Sequence, residues 1–431
     1  MKRFLTIVAF ALLASIPASA QNTGDGTIYS RFGIGELRGF ASPQIEALGG
    51  AGYSLQSLNY VNLENPASWG SQVLTRAVAG LRYQNLRARA DGLEESVLSE
   101  GNLGVVQFSF PIVDQRAGIA AGLQPFSRVS YRVQLNGRTV PDPAVTDSVD
   151  YRIDFEGSGG LQQIVGGVGF QIVPSLSVGA GLHFIFGILD YGRQTSFPGS
   201  RLEPANLVTS TRMSGITGSF GALFRHQGLL GDADLLSVGA TFRAPASLRA
   251  RRVQKLGESL NVDTLAAPIN GDVTLPLSVG FGASYQPDAR WLITADALLE
   301  PWTSFESDLE FAGLSEGGAG ALEDRLRLSG GVEFLPAGND LMEPFLERIA
   351  YRLGAYYDRS YVTPLAGVSI GTVAVTGGFS FPTMLSGTRL DINFEAGTRG
   401  TTDHNLVRDV FYRVSLNVNV GERWFQKTRL R

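Results

Sequence analysis

Residues 410–420 read Val410-Phe411-Tyr412-Arg413-Val414-Ser415-Leu416-Asn417-Val418-Asn419-Val420. Val410, Tyr412, Val414, Leu416, Val418 and Val420 fall on one face of an extended chain; Phe411, Arg413, Ser415, Asn417 and Asn419 fall on the other, because successive strand side chains point in opposite directions. The same two-residue alternation recurs upstream. Leu390, Ile392, Phe394 and Ala396 alternate with Arg389, Asp391, Asn393 and Glu395. Leu326, Leu328, Val332 and Phe334 alternate with Arg327, Ser329, Gly331 and Glu333, and Leu277, Val279, Phe281, Ala283 and Tyr285 with Ser278, Gly280, Gly282, Ser284 and Gln286. A soluble β-sandwich also alternates. Here, however, the wet faces carry small residues and charges of both signs rather than a Lys/Glu surface, and the segments are long. Closed barrels are the β-structures that span lipid, because every backbone group must find a partner there.

The beginning of the chain points the same way. Lys2 and Arg3 precede an apolar run from Phe4 to Ala14, and Ala18-Ser19-Ala20 stands before Gln21. The run is too short to span a bilayer, so residues 1–20 read as a secretory signal peptide cut near Ala20, which predicts export to the outer membrane of a Gram-negative bacterium. Gln rather than Cys follows the cut, which argues against a lipid anchor.

Composition excludes most other classes. Glycine makes up 53 of 431 residues, well above the usual ~7%, and charged residues are 18% against a usual ~25%. A net charge of −4 gives no basic footprint for nucleic acid. No cysteine is present, so there is no disulfide framework, thiolate metal site or Cys nucleophile. Only His183, His226 and His404 are available, scattered along the chain, so neither a His-based metal site nor an enzyme is expected, and no cofactor. Gly166-Gly167-Val168-Gly169 lacks the following helix and Lys of a phosphate loop.

Fourteen strands are predicted, at about 76–90, 101–113, 116–135, 148–172, 175–195, 208–226, 233–252, 272–286, 290–306, 323–335, 348–360, 369–381, 387–399 and 407–421. Odd links average about 12 residues and even links about 5, the pattern of long outer loops and short periplasmic turns. The 336–347 link is an exception, either a short periplasmic helix or a misplaced strand end. Residues 21–75 do not alternate and hold Gly24, Gly26, Gly33, Gly35, Gly39, Gly49, Gly50 and Gly52. The expected organisation is therefore a signal peptide at 1–20, a small N-terminal hatch inside the lumen at 21–75, and an all-β, transmembrane, antiparallel barrel of about 14 strands at 76–431.

Leu48-Gly49-Gly50-Ala51-Gly52, a polar spacer and Asn65-Pro66-Ala67 resemble the hatch of FadL/TodX-type outer-membrane transporters for long-chain fatty acids and other hydrophobic compounds. Leu275-Pro276, Gly280, Tyr285, Pro287, Trp291, Asp296, Trp302 and Phe305 are similar to their central strand pair. Arg327-Leu328-Ser329-Gly330-Gly331-Val332-Glu333 with Tyr351-Arg352-Leu353-Gly354-Ala355-Tyr356-Tyr357 are similar to the next. Tyr29-Ser30-Arg31-Phe32-Gly33-Ile34-Gly35 and Arg423-Trp424-Phe425 look like one branch of that superfamily. The resemblance implies a fourteen-stranded barrel plugged by a hatch, ligand capture at the outer end, a hatch rearrangement, and sideways exit through the wall.

Several residues have both a functional and an ordinary reading. Asn65-Pro66-Ala67 is either a rigid bend seating the hatch or a turn into the first strand. Gly122 and Pro125 interrupt the third strand; a mid-strand Pro marks an edge or bulge, and the resemblance implies that a kink here makes the lateral gate. The ordinary alternative is a harmless bulge at the rim. Arg82, Arg243, Arg327, Glu333, Asp358, Asp391, Glu395 and Arg413 are predicted to face the lumen, where mixed charges mostly form cross-strand pairs; Arg82, Arg243 and Arg413 are candidates for a ligand carboxylate because the guanidinium fork matches its shape. Trp291, Trp302, Tyr351, Tyr357, Tyr412 and Trp424 are expected in interfacial girdles, and His183 as a lumen residue.

Three functions follow: passive transport of a hydrophobic small molecule such as a long-chain fatty acid, a platform that binds secretion-system or cell-surface proteins, and a general porin, against which the hatch counts. Outer-membrane lipid is an expected partner and nucleic acid is not. A continuous apolar lumen pocket with a wall gap near Pro125 favours transport; a sealed wall with an exposed apolar rim favours the platform.

Overall fold

The computed structural model describes residues 26–39, 42–92, 94–140, 148–200, 202–229, 231–257, 263–312, 322–338, 340, 342–365, 367–385 and 387–423. The predicted leader and Trp424 lie outside them.

Fourteen antiparallel strands close into one barrel. They are β1 (Thr75–Ala90), β2 (Ser96–Val113), β3 in two pieces (Ala117–Pro125 and Tyr131–Thr139), β4 (Val149–Val173), β5 (Leu176–Ser196), β6 (Ala205–Gln227) and β7 in two pieces (Leu235–Arg243 and Ala246–Leu256). There follow β8 in two pieces (Ile269–Leu275 and Ser278–Gln286), β9 (Trp291–Glu300), β10 (Arg325–Phe334), β11 (Ala350–Arg359), β12 (Gly371–Pro382), β13 (Arg389–Arg399) and β14 (Val407–Glu422). β1 pairs with β14 from Thr75↔Glu422 to Ala90↔Val407, which shuts the ring.

The alternation has the predicted sense. Along β14, Tyr412, Val414, Leu416, Val418 and Val420 are exposed on the outside, while Arg413, Ser415, Asn417 and Asn419 are buried in the lumen. A greasy exterior around a wet interior inverts a soluble protein and fits a barrel held in lipid. β4, β5 and β6 run 25, 21 and 23 residues, about twice the ~9–11 that a bilayer needs, so their far halves stand above the apolar band on the long-loop side. The 335–349 link is neither helix nor strand among its described residues. It is a run of turns closed by the Ala337 N–H donating to the Glu347 carbonyl at 2.8 Å.

The N-terminal segment lies inside the ring. It contributes a short strand, Glu36–Leu37, a one-turn helix α1 (Pro43–Ala47) started by the Ser42 side chain, and a 3-10 turn at Pro66–Ser71. Facing wall positions are glycines because backbone meets backbone: a Cβ at Gly169 or Gly179 would run into Pro66, at Gly239 into Tyr53, and at Gly331 or Gly354 into Leu48. This accounts for much of the glycine excess in the wall strands.

On the long-loop side, Ile34, Phe126, Tyr131, Leu161, Leu248, Trp302, Phe311 and Tyr361 belong to one buried apolar cluster. Trp302, expected in an interfacial girdle, is 1% exposed and stacks 4.1 Å from Tyr361. The chain bends at Pro301 into a 3-10 turn, which carries Trp302 over the lumen instead of outward. Trp291, by contrast, is exposed beside Phe334 at 4.4 Å, as a girdle residue should be.

Candidate functional site

Among the described residues, the wall ladder breaks at β3. The first piece of β3 pairs with β2 from Val113↔Ala117 to Val106↔Leu123 and with β4 as far as Pro125↔Gln162. Beyond Pro125 the chain parts from β2 but stays bonded to β4, through Phe126 N–H to the Leu161 carbonyl at 2.8 Å and Val129 N–H to the Gly159 carbonyl at 3.0 Å, and from Tyr131 it pairs with β4 alone. Among the described residues, β2 outward of Val106 therefore pairs only with β1. The third strand, drawn over 116–135 with Gly122 and Pro125 as its interruption, is in two pieces, Ala117–Pro125 and Tyr131–Thr139. Proline alone does not explain the break: β7 and β8 also bend, at Pro245 and Pro276, yet their outer pieces stay zipped to each other and to β6. At Pro125 the difference is a competing partner. Ser127 and Arg128 pair with Leu37 and Glu36 of the N-terminal segment, and the Arg38 N–H donates to the Phe126 carbonyl at 2.9 Å. β4 meets this detour at Gly159, whose carbonyl accepts from the Val129 N–H at 3.0 Å, and the φ of +95° and +149° at Gly159 and Gly160 favour glycine.

An ion pair spans the opening, from Arg128 on the detour to Glu100 on the unpaired stretch of β2. Behind it sits Glu36, contacted by Arg38 at 3.1 Å, Arg413 at 3.5 Å and Arg399. Burial alone would raise the Glu36 carboxyl, but these three guanidinium groups hold it well below the ordinary carboxylate range.

A cavity of about 120 Å³ lies beside the detour, lined by Gln124, Phe126, Glu64, Arg243, Asp296 and Arg327 among others. Its walls are mixed, with Leu37, Leu63, Phe126 and Leu298 set among the charged groups, rather than a continuous apolar channel. Drug-sized ligand sites run ~300–1,000 Å³, so this arrangement is closed to a long acyl chain. The Gln124 Oε1 and Asp296 Oδ1 acceptors are buried without a partner in the protein. Glu64 reaches toward the cavity; burial raises its pKa, opposed by Arg327 and Arg243.

The three candidate arginines occupy different environments. Arg82 is paired with Glu46 of α1. Arg413 bonds Glu395 at 2.7 Å and Gln84 at 2.7 Å. Arg243 lines the cavity, bonds Glu300 at 2.8 Å and lies 5.4 Å over the Phe126 ring, so it touches the detour directly. The other lumen charges are cross-strand pairs: Arg352 with Glu333 at 2.5 Å and Asp391 at 3.0 Å, Arg325 with Asp358 at 2.7 Å. Arg327 adds a bond to the Gly49 carbonyl at 3.1 Å. His183 is a buried lumen residue bonded to Ser219 at 2.9 Å.

Asn65 fastens the N-terminal segment. Its Oδ1 accepts from the Ala67 N–H at 2.9 Å, and its Nδ2 donates to the carbonyls of Tyr53 at 2.6 Å and Ala222 of β6 at 3.2 Å. Pro66 opens the 3-10 turn that this bond caps, and the Trp69 indole donates to the Asn62 carbonyl at 2.6 Å. Gly122 faces Leu63, where a Cβ would collide with the leucine methyl. Sequence reasoning did not single out Glu36, Arg128, Glu100 or Phe126. Glu36 carried little signal, since Asp25 and Glu46 stand in the same glycine-rich opening, and two of its three arginine partners, Arg399 and Arg413, come from the far end of the chain.

A family model described as BamG matches residues 1–431. No curated protein matches the chain in sequence. A Pseudomonas aeruginosa FadL homologue is 13% identical, with a TM-score of 0.58 over 90% of this chain and 100% of that one. The CymD monoaromatic hydrocarbon channel is 14% identical, with a TM-score of 0.54 over 90% and 99%. The P. putida toluene transporter TodX is 17% identical, with a TM-score of 0.54 over 91% and 100%. The resemblance to FadL/TodX-type proteins thus holds at the level of the fold, which is that of Gram-negative outer-membrane barrels.

Proposed function

The chain belongs to the BamG family, and from that premise and its fold we propose that it is an outer-membrane barrel that passes hydrophobic small molecules sideways through its wall, described here in a closed state. The observation that carries this reading is the meeting of cavity and interrupted wall: Gln124 and Phe126, on either side of Pro125, both line the cavity. The long-loop end then faces outward and the short turns face the periplasm, after cleavage of the leader near Ala20. A ligand would enter from the loop end, displace the Ile34–Leu37 region, and leave between β2 and the detour. Gly122 and Pro125 set the kink, and Asn65, Pro66 and Ala67 anchor the hatch. All three arginines pair with acids, Arg243 with Glu300 at 2.8 Å; Arg243 is assigned to a ligand carboxylate because it alone of the three lines the cavity beside the detour. The fold neighbours described as a toluene transporter and a monoaromatic hydrocarbon channel support a hydrophobic ligand class; a long-chain fatty acid is the amphipathic member that Arg243 would suit.

A second reading is favoured by the filled interior. An apolar cluster occupies the outer half of the lumen, so a permanently plugged barrel acting as a platform for proteins also accounts for the packing. Proteoliposomes separate the two readings. Transport predicts uptake of labelled fatty acid or toluene above that of empty vesicles, lost in Pro125→Val while the barrel still folds. Unchanged uptake in Pro125→Val counts against the gate. Absence of uptake in the wild type and in a loosened Glu36→Gln variant overturns transport in favour of the platform.

A further inference from the structure

Three links at the short-turn rim are polar at their tips: 114–116 holds Asp114, Gln115 and Arg116, 174–175 holds Pro174 and Ser175, and 287–290 holds Pro287, Asp288, Ala289 and Arg290, while 228–234 exposes Leu229. The sector from β10 to β13 differs. Its links, 335–349 and 383–388, expose Met342, Phe345, Leu346, Met384 and Leu385, with Met342 at 93% and Leu346 at 67%. The two links are tied together by Arg389, whose Nη2 donates to the Arg348 carbonyl at 3.3 Å. A monomeric soluble surface rarely groups so many apolar side chains without a partner.

The position of Leu346 indicates what that partner is. Tyr351 belongs to the outward face of β11, because its neighbour Arg352 is buried in the lumen and Leu353 is 68% exposed among the lipid-facing residues. Tyr351 packs edge-on against Phe379 at 5.8 Å, part of the same aromatic sector as Trp291 and Phe334. Its hydroxyl donates to the Leu346 carbonyl at 3.2 Å. The 335–349 link is therefore fastened to the outside of the wall, where the apolar band and its aromatic edge end. Its backbone is also largely self-paired: Glu347 N–H to Pro344 O at 3.0 Å, Arg348 N–H to Phe345 O at 3.2 Å, and Ala337 N–H to Glu347 O at 2.8 Å. Few backbone groups would then lose water on approach to hydrocarbon, which is the condition lipid imposes on irregular chain.

We propose that these two links form an apolar foot inserted into the phospholipid leaflet on the short-turn side, extending the barrel's lipid contact beyond its strands in this one sector. Met342, Leu346 and Met384 sit at the boundary between acyl chains and headgroups, with exposed Asp340 and Glu347 on the aqueous side. The foot holds the barrel's rotation and tilt, because it gathers five exposed apolar side chains where 228–234 exposes Leu229 and the remaining short turns are polar at their tips.

The absence of native cysteine makes the test direct. Full-length chains carrying Met342→Cys, Leu346→Cys or Met384→Cys, each labelled with a nitroxide, are reconstituted in phosphatidylethanolamine and phosphatidylglycerol bilayers. Collision with lipid-soluble oxygen and with a water-soluble nickel chelate is measured by electron paramagnetic resonance. Leu353→Cys serves as the lipid-band control and Asp288→Cys as the aqueous-turn control. The three foot positions should favour oxygen over nickel, grouping with position 353. Grouping with position 288 overturns the proposal, and so does shielding from both reagents, which would mark a protein-covered face. None of these sites lies near Pro125, so failure here leaves the transport reading standing.

Discussion

Asn65→Ala tests whether the N-terminal segment is held where the structure puts it. Three hydrogen bonds disappear: the cap on Ala67 and the two donations from Nδ2 to Tyr53 and Ala222. A lost cap costs about 1 kcal/mol. The Tyr53 carbonyl, in a half-buried stretch, loses its amide donor, and such an orphaned group costs about 1–3 kcal/mol. Ala222 adds less, since it sits in the β5–β7 ladder. The total is about 3 kcal/mol off docking, and at ~1.4 kcal/mol per tenfold this multiplies the undocked fraction roughly a hundredfold. The readout is protease cleavage within residues 42–70 while the wall stays closed, which band shift on an unheated gel reports. Cleavage tracks the open population when opening and closing are fast, so the rate should rise by about two orders of magnitude. Asn65→Asp keeps the cap acceptor but removes the amide donor, and should be at least as damaging. Wild-type cleavage rates in both variants, with intact barrels, would refute the anchoring role of Asn65.

Three other perturbations follow from the same packing. Gly179→Ala forces a methyl into Pro66 and should reproduce the Asn65→Ala cleavage phenotype, whereas Gly218→Ala, with only the Gly181 carbonyl at 3.9 Å, should be silent. Because Glu36 is held below its ordinary pKa, its contribution is complete above about pH 4.3 and is lost as pH falls through the depressed value. Cleavage should stay flat from pH 8 to pH 5 and climb below about pH 4, and Glu36→Gln should start high and lose that part of the slope. Glu64 behaves oppositely: a carboxyl raised by burial destabilises once pH exceeds its ordinary value. Glu64→Gln should raise the melting temperature at pH 8, and the advantage should vanish as pH drops below about 4; an unchanged melting temperature at pH 8 would refute the desolvation argument.

The wall was legible because lipid enforces a local code. Each of the fourteen strands must be greasy on alternate residues, so Val414 and Leu416 against Arg413 and Ser415 can be read without knowing any neighbour. The lumen was only half legible. Alternation puts Arg413 inside, but its choice of Glu395 and Glu36 depends on register and on a segment nearly 380 residues away. Trp302 shows the limit from the other side: its position near a strand end matched a girdle residue, and a proline one step earlier turned it inward.

The third strand is the instructive case, because the interruption was marked at Gly122 and Pro125 while its cause was not legible. Pro125 removes one donor and nothing more; at Pro245 and Pro276 the same loss leaves the ladder closed. What opens the wall is that residues 127–128 have a second edge to pair with, Glu36–Leu37, and positive-φ glycines at 159–160 of β4 against which the departing chain lies. No window of sequence around Pro125 contains that second edge. A break in a membrane ladder costs several backbone hydrogen bonds in a medium without water, so it persists only where the protein supplies replacements. The opening and the N-terminal segment are therefore one structure: loosening the segment should weaken the detour, and restoring the ladder with Pro125→Val should take away the partner that holds Glu36–Leu37 in place.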